Sequence, residues 1–428
     1  MAQSPPVTSK GDGPSLIVNG KVPAWLTDTR TVAVIAALEA MGSAGCARFV
    51  GGCVRNAVIG HSIDDVDIAT TLTPDAVIKA LEVAGLRWAP TGVEHGTVTA
   101  IVDVCPFDIT TLRRDVVTDG RTATVAFTQD WDEDAKRRDF RLNCLYADPA
   151  GRLYDPTGFG LSDALAGRIV FVGEAMTRVR EDYLRILRFF RFYARYGKGA
   201  PDANALAACQ AQKGMLSGLA AERTAKELLK LLGAYDPRPA VALMARTGVL
   251  EAALPGVEDW TRFDRLVGIT LEQRIETDAE LRLAALLPDG TAKATAERLR
   301  LSNAQRDRLI AAIASAPQVV SSMSQREARR LMYGVGLCAY ADRVKLGWAS
   351  GKPAAGAHWR ALLGLADTWS PPSMPVNGAD VAAAGVPQGP MVGAVLRAVE
   401  AWWIDQDFIN DREQALQRLS TVARIIAD

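Results

Sequence analysis

The stretch Arg48-Phe49-Val50-Gly51-Gly52-Cys53-Val54-Arg55, followed shortly by Asp65-Val66-Asp67-Ile68-Ala69, decides how this chain reads. The apolar run 46–50 predicts a buried strand, and 52–59 a short helix closed by Gly60. A second strand is expected over 65–71. Residues i and i+2 of a strand share a face, so Asp65 and Asp67 would aim their carboxylates at one point. Two convergent hard oxygen ligands suit Mg²⁺, and Mg²⁺ suits substrate phosphates. The glycine pair, Gly51 and Gly52, lets backbone N–H groups approach a phosphate, and the helix N-terminus that follows favours its charge. Arg55 stands one turn into that helix. Together the parts describe metal-assisted chemistry on a phosphate.

With 428 residues the chain should form two to four domains. Basic and acidic residues balance at 49 each, so overall charge does not announce a nucleic-acid partner and any basic surface must come from clustering. The six cysteines are scattered without a Cys-x-x-Cys pair, which argues against a zinc site or a disulfide framework and fits a reducing cytoplasm. No apolar run is long enough to span a membrane, and residues 1–15 read as a disordered leader. Up to about Asp155 the pattern is α/β, with helices over 27–41 and 74–84, a hairpin over 97–104 and 106–112, and a polar, mobile loop over 113–130 turning at Asp119-Gly120. Beyond it, amphipathic helices dominate: 176–196, 204–212, 220–232, 238–247, 277–287, 292–301, 304–314, 325–333, 339–348 and 391–426 with a break. Pro and Gly clusters at 233–239, 350–356 and 370–389 mark joints.

Further candidates for chemistry follow. Asp108, in Phe107-Asp108-Ile109-Thr110-Thr111, is a third strand-borne acid, and three acids can hold two metal ions for an in-line displacement. Arg137-Arg138-Asp139-Phe140, with Asn143, abuts an apolar strand and offers a phosphate clamp. Residues 178–195 interleave arginines with aromatic and aliphatic side chains, and Arg185, Arg188 and Arg191 keep near one helix face. Such a stripe either faces solvent or lines a cleft. Asp182 and Arg185, at i and i+3, can point the same way. A carboxylate accepts from an exocyclic amine, and a guanidinium donates to a ring nitrogen or carbonyl. Cytosine and adenine both present an amine beside a ring acceptor, whereas uracil and guanine present a carbonyl beside a ring N–H. One Asp–Arg pair can therefore select C and A without a nucleic-acid template. Trp348 and Trp402-Trp403 read as core residues before RNA-stacking ones.

Order and spacing of six segments over 46–230 resemble the class II tRNA nucleotidyltransferase/poly(A) polymerase family, and within it the CCA-adding enzymes. They are Gly51-Gly52-Cys53-Val54-Arg55, Asp65-Val66-Asp67, Glu94-His95-Gly96-Thr97, Phe107-Asp108-Ile109, Arg137-Arg138-Asp139-Phe140 with Asn143, and Glu181-Asp182-Tyr183-Leu184-Arg185 continuing to Arg188. The resemblance implies an α/β nucleotidyltransferase (polymerase-β-like) head over 16–155, then an all-α neck (156–235), body (236–350) and tRNA-binding tail (351–428). It implies that Gly51, Gly52 and Arg55 contact the triphosphate, that Asp65, Asp67 and Asp108 are catalytic and bind Mg²⁺, and that Arg138, Asp139 and Asn143 bind the nucleotide, Asp139 sensing the ribose. It makes Asp182 and Arg185 the base-selecting pair, with Arg188 and Arg191 beside them. The substrates would be CTP, ATP and the acceptor end of tRNA, with addition or repair of its 3′-terminal CCA as the activity. Relatives that add only C tend to lack a full loop at 113–130; its length here implies both bases. The family usually has Asp where this chain has Asn56, a change that keeps size and hydrogen bonding but loses charge. Two alternatives stand beside this reading: a poly(A) polymerase with the same head, and a non-catalytic RNA-binding protein on the same fold, against which three retained carboxylates speak.

Overall fold

The computed structural model describes residues 14–16, 22–118, 123–314, 316–351, 355–408 and 411–427. Most of the leader expected over 1–15, and the Asp119-Gly120 turn, lie outside the described residues. Ser15, at the leader's end, forms a β-bridge with Arg152. The chain forms two compact units, 1–255 and 256–428.

The first unit opens with helices α1 (Ala24–Thr27) and α2 (Thr29–Met41), the latter capped by Asp28, which accepts from the Arg30 amide. Then come β1 (Ala47–Val50), α3 (Gly52–Ile59), β2 (Asp67–Thr70) and α4 (Pro74–Val83), which starts on proline under a Thr73 cap. Strands β3 (Arg87–Gly92), β4 (Thr97–Val102) and β5 (Cys105–Thr111) follow. A separate antiparallel pair, β6 (Arg113–Thr118) and β7 (Ala123–Phe127), precedes α5 (Trp131–Lys136) and the short strands β8 (Tyr146–Ala147) and β9 (Leu153–Tyr154). The main sheet has seven strands in the order β3-β4-β5-β2-β1-β8-β9, with β2 and β5 parallel near its middle.

Register explains how the sheet divides its labour. Thr99, Asp108 and Asp67 stand opposite one another on β4, β5 and β2. One residue along, Val98, Ile109 and Ile68 form the next row, each wholly buried. Successive residues of a strand face opposite ways, so the apolar row serves the core while the polar row faces the other side. Helices α2 and α4 pack on each other, burying Val34, Leu38, Val77 and Leu81. Each fully buried aliphatic side chain contributes about 1.5–3 kcal/mol. A second cluster, with Val50, Ala69, Leu112, Ala135 and Tyr146, locks α5 onto the sheet.

The remaining helices of this unit are α6 (Gly160–Ala166), α7 (Ala175–Glu181), α8 (Leu184–Tyr196), α9 (Ala203–Gln212), α10 (Ala221–Leu232), α11 (Arg238–Thr247) and α12 (Val249–Ala253). Helix α8 buries Phe189, Phe190 and Phe192, and Phe192 and Phe171 flank the ring of Phe140.

Three expectations need correction here. The polar segment 113–130 carries the β6–β7 pair, because Val116, Val117 and Ala123-Thr124-Val125 have strand-forming character that the surrounding charges hide. Strand β3 was not expected; Pro90 and Gly92 disguise it, and it is an edge strand, where proline is tolerated. The single helix expected over 176–196 is two, because Asp182 is extended (φ −153°, ψ 105°).

The second unit is helical: α13 (Thr261–Gln273), α14 (Ala279–Leu286), α15 (Ala292–Arg298), α16 (Asn303–Ala312), α17 (Gln325–Val335), α18 (Leu337–Ser350), α19 (Gly356–Thr368), α20 (Gly378–Ala383), α21 (Pro390–Asp405) and α22 (Arg412–Ala427). The break expected within 391–426 separates α21 from α22. Helices α13, α19 and α20 were not expected, nor, in the first unit, were the short helices α1, α5, α6 and α12. Around Tyr340, Trp348 and Trp359 one core forms, and around Val381, Val395, Val399 and Leu419 another. Trp348 and Trp403 are buried, as core residues should be.

Candidate active site

Gly51 makes the turn between β1 and α3 with φ 69° and ψ −115°, a conformation only glycine adopts readily. A β-carbon there would lie 3.7 Å from Arg138 Nη1, so the turn and that guanidinium face each other. Gly52 follows as the first residue of α3, with free space where a side chain would be except for Arg55 Nη2 at 3.9 Å. Arg55 is 6% exposed. Its Nε and Nη2 donate to Asn56 Oδ1 at 3.1 and 2.9 Å, Nη2 also donates to the Tyr196 hydroxyl at 2.7 Å, and Nη1 donates to Asn143 Oδ1. Burial, opposed by Tyr196, leaves its pKa below the ordinary guanidinium value.

Asn56 therefore orients Arg55. Its other end, Nδ2, donates to the Ser62 carbonyl at 2.7 Å and fixes the segment that leads to the first acids. An aspartate could accept from Arg55 but could not donate to Ser62, which gives the neutral residue a role of its own.

Asp67 begins β2, and Asp108 is its register partner on β5. Thr99 donates its hydroxyl to Asp108 Oδ1 at 2.5 Å. Asp65 lies before the strand and is exposed, so the expected strand starts two residues late and the shared-face argument holds across strands, for Asp67 and Asp108, instead of along one. The three acids still feel one another. Burial, then the charges of Asp108 and Asp65, push the Asp67 carboxyl up to about 6 against the pull of Arg138 and Arg55. Among the described residues no three His, Cys, Asp or Glu side chains close into a cage for an ion. Carboxylates crowded to the point of mutual repulsion are nevertheless the donor set that a hard divalent cation relieves, with substrate phosphates completing its shell.

Arg138 is clamped. Its Nη2 and Nε donate to Asp134 Oδ2 at 2.9 and 3.2 Å, and Nε also reaches the Tyr146 hydroxyl at 3.2 Å. Tyr146 donates to the same carboxylate oxygen at 2.7 Å, and Arg137 Nε to the other at 2.8 Å. Asp139 is the neighbouring joint. Its Oδ1 accepts from the Phe140 amide at 2.8 Å and Asn143 Nδ2 at 2.9 Å, and its Oδ2 from Arg188 Nε at 2.9 Å. Burial works against ionisation of Asp139, but Arg188 and Asn143 outweigh it and hold the carboxyl below its ordinary value. Arg191 Nε donates to Glu227 Oε2 at 2.5 Å, and Arg188 lies 3.7 Å from the other oxygen of Glu227. A continuous polar chain thus runs Arg55–Asn143–Asp139–Arg188–Glu227–Arg191.

Asp182 and Arg185 are brought near each other but not paired. Asp182 Oδ1 accepts from the Leu184 amide at 3.0 Å, capping α8, and Oδ2 accepts from Arg223 Nη2 at 2.7 Å. Arg185 Nη1 donates to the Arg178 carbonyl at 2.7 Å and to Glu181. The helix break accounts for the difference, since i, i+3 geometry requires both residues on one helix.

The sequence reading missed Thr99, Asp134, Tyr146, Tyr196, Arg223 and Glu227. Asp134 sits in Asp130-Trp131-Asp132-Glu133-Asp134, which looks like a solvated acidic face, and Glu227 in an amphipathic helix looks like surface charge. The signal for both was a surplus of nearby arginines on apolar elements.

A mixed sheet with acids in register beside a glycine turn and a buried arginine defines a nucleotidyltransferase head. Residues 47–170 match the family described as "Poly A polymerase head domain", and residues 200–261 match "Probable RNA and SrmB- binding site of polymerase A". The chain belongs to the CCA tRNA nucleotidyltransferase family. It is 33% identical over 384 residues to CCA tRNA nucleotidyltransferase 1, mitochondrial, of Mus musculus, covering 86% of this chain and 85% of that one. It is 38% identical over 219 residues to the CCA-adding enzyme of Geobacillus stearothermophilus, 49% of this chain and 51% of the other. Among solved structures, the Bacillus stearothermophilus CCA-adding enzyme in complex with CTP superposes with a TM-score of 0.77 at 28% identity, over 95% of this chain and 99% of that one. The Thermotoga maritima CCA-adding enzyme complexed with tRNA shares the fold at 20% identity, with a TM-score of 0.64 over 93% and 97% of the two chains.

Proposed function

We propose that this enzyme adds or repairs the 3′-terminal CCA of tRNA, using CTP and ATP and releasing pyrophosphate. The observation that carries the reading is the row Asp67–Asp108 facing a site bounded by Gly51, Arg55 and Arg138, joined by hydrogen bonds to the arginine face of α8. Asp65, Asp67 and Asp108 would hold Mg²⁺, which when bound supplies charge neutralisation for the attacking hydroxyl and the departing pyrophosphate. The amide of Gly52 and the Arg55 guanidinium bind the triphosphate, and Arg138 adds a second cationic contact; Gly51, whose amide donates to the Leu145 carbonyl at 3.1 Å, shapes the turn that lets the phosphate approach. Asn143 holds Arg55 in place. Asp139 fixes Asn143 and Arg188, and meets the ribose hydroxyl by exchanging one of those bonds. Asp182 accepts the exocyclic amine of cytosine or adenine while Arg185 donates to its ring acceptor, with Arg188 and Arg191 behind them. The 3′-hydroxyl oxygen of the RNA bonds to the α-phosphorus and gives up its proton to solvent as the bond to the bridging oxygen of pyrophosphate breaks.

The chain reads as catalytic head, helical neck, body and tail, the last two holding the RNA. All six thiols are free, which supports a reducing compartment, the cytoplasm. No helix among the described residues is long and apolar enough to cross a membrane. The test supplies tRNA ending at the discriminator base with CTP and ATP, singly and together. Growth by C, C and A followed by arrest is expected. A long A tail from ATP alone would assign a poly(A) polymerase, and no incorporation an RNA-binding module. Asp65→Ala should abolish transfer while tRNA binding persists.

A further inference from the structure

Asp182 is not idle without a nucleotide. Arg223, in the first turn of α10, donates from Nη2 to Asp182 Oδ2 at 2.7 Å, and the two side chains are 54% and 32% exposed. The other carboxylate oxygen serves the Leu184 amide. Oδ2 is therefore the atom left for an incoming base, and a guanidinium N–H already occupies it. An arginine N–H and the exocyclic N–H of cytosine or adenine are the same kind of donor, and they compete for one acceptor. Arg185 differs: its Nη1 is taken up by Glu181 and the Arg178 carbonyl, and its remaining N–H groups can still donate to a base.

We propose that Arg223 is a positioning residue of this enzyme, a stand-in donor that holds Asp182 until the amine of an incoming C or A displaces it. The proposal rests on the reading of Asp182 as the base-selecting carboxylate. Its logic is one of exchange. A cytosine or adenine breaks the Arg223 contact and replaces it with an equivalent one. Uracil or guanine presents a carbonyl oxygen, which cannot bond to a carboxylate, so Asp182 keeps Arg223 and the wrong base gains nothing. Glu181 fixes the orientation of Arg185 without occupying all of its donors. The exchange then sets the KM of C and A, while the choice between bases stays with the Asp182 carboxylate.

The contact is half exposed, so its displacement costs a small factor. Arg223 lies on the surface of α10, and its replacement spares the core. The test measures steady-state kinetics of CTP, ATP and UTP incorporation for wild type, Arg223→Ala, Arg223→Lys, Asp182→Asn and the double variant Asp182→Asn/Arg223→Ala. Arg223→Ala should lower KM for CTP and for ATP about two- to fivefold, with kcat changing less than KM and with KM for tRNA unmoved. UTP incorporation should not improve by the same factor. Arg223→Lys should restore the wild-type KM, and in the Asp182→Asn background Arg223→Ala should have no effect on KM. Unchanged or raised KM for CTP and ATP in Arg223→Ala would overturn the proposal, as would a raised KM for tRNA, which makes Arg223 an RNA contact. If Asp182→Asn itself leaves the choice of C and A intact, the reading of Asp182 fails instead, whatever Arg223 does.

Discussion

Replacing Asp134 by asparagine should loosen the head and its nucleotide clamp together. The carboxylate is fully buried and receives Arg137, Arg138 and the Tyr146 hydroxyl. Burial alone would raise its pKa, yet Arg138, then Arg137, and the Tyr146 bond bring it down from 3.8 to about 2. At 1.36 kcal/mol per unit, that shift corresponds to roughly 2–3 kcal/mol of folding free energy at neutral pH. Breaking a buried ion pair costs about 3–5 kcal/mol. The two guanidinium side chains here remain 15% and 17% exposed and keep part of their hydration, so the lower end applies. Both routes give a loss of about 2–3 kcal/mol for Asp134→Asn. The sign follows from the depressed pKa. The stabilisation is complete above the unfolded value of 3.8 and disappears as pH falls through about 2. Urea unfolding at pH 7 should show the full deficit in the transition of the first unit and none in the second, and at pH 3 the deficit should be visibly smaller. Arg138, released from its anchor, should raise KM for CTP and ATP about tenfold. A deficit below about 1 kcal/mol, or one that does not vary with pH, would refute the clamp.

Other outcomes are expected. Asp182→Ala should relax the choice of C and A while Asp65 and Asp67 still support transfer, read as UTP and GTP incorporation; retained selectivity would exclude the pairing scheme. Asn56→Asp removes the donor to Ser62 and sets a charge against Arg55, so KM for both nucleotides should rise about threefold, measured by initial rates. Gly51→Ala forces a side chain into a positive-φ turn and should cost about 1–3 kcal/mol in urea unfolding. Arg308→Met leaves Asp342, 4% exposed in its side chain, without its cation. With Arg308 itself about a third exposed, the loss should be about 1–3 kcal/mol, confined to the second unit, and single-nucleotide transfer should continue.

How far the sequence disclosed this arrangement depends on the range over which each signal acts. The glycine turn and the strands at Asp67 and Asp108 were readable because period-two alternation and a helix stop at Gly60 are local. Asp182 and Arg185 were readable as residue types, but their geometry was not. Nothing local says that the helix breaks at 182, because the chain on either side is strongly helical and the break is held by the Asp182 cap and its contact with α10. The β6–β7 pair was hidden by its charges, which suit a solvated hairpin as well as a loop. Asp134 and Glu227 were out of reach for another reason. A carboxylate is assigned to the surface until an arginine distant in sequence is known to meet it, and only the fold brings Glu227 to Arg188 and Arg191.

Among the described residues, every side-chain hydrogen-bond acceptor of Arg55 is uncharged: the amides of Asn56 and Asn143 and the phenol of Tyr196. Arg55 therefore keeps its charge without a carboxylate hydrogen-bonded to it, and that charge draws anions to α3. Pyrophosphate, the leaving product, has the charge that this guanidinium attracts, so release of product and capture of the next nucleotide draw on the same attraction. Simple polyanions should raise the melting temperature of the substrate-free protein, and turnover should slow as pyrophosphate accumulates unless a pyrophosphatase clears it.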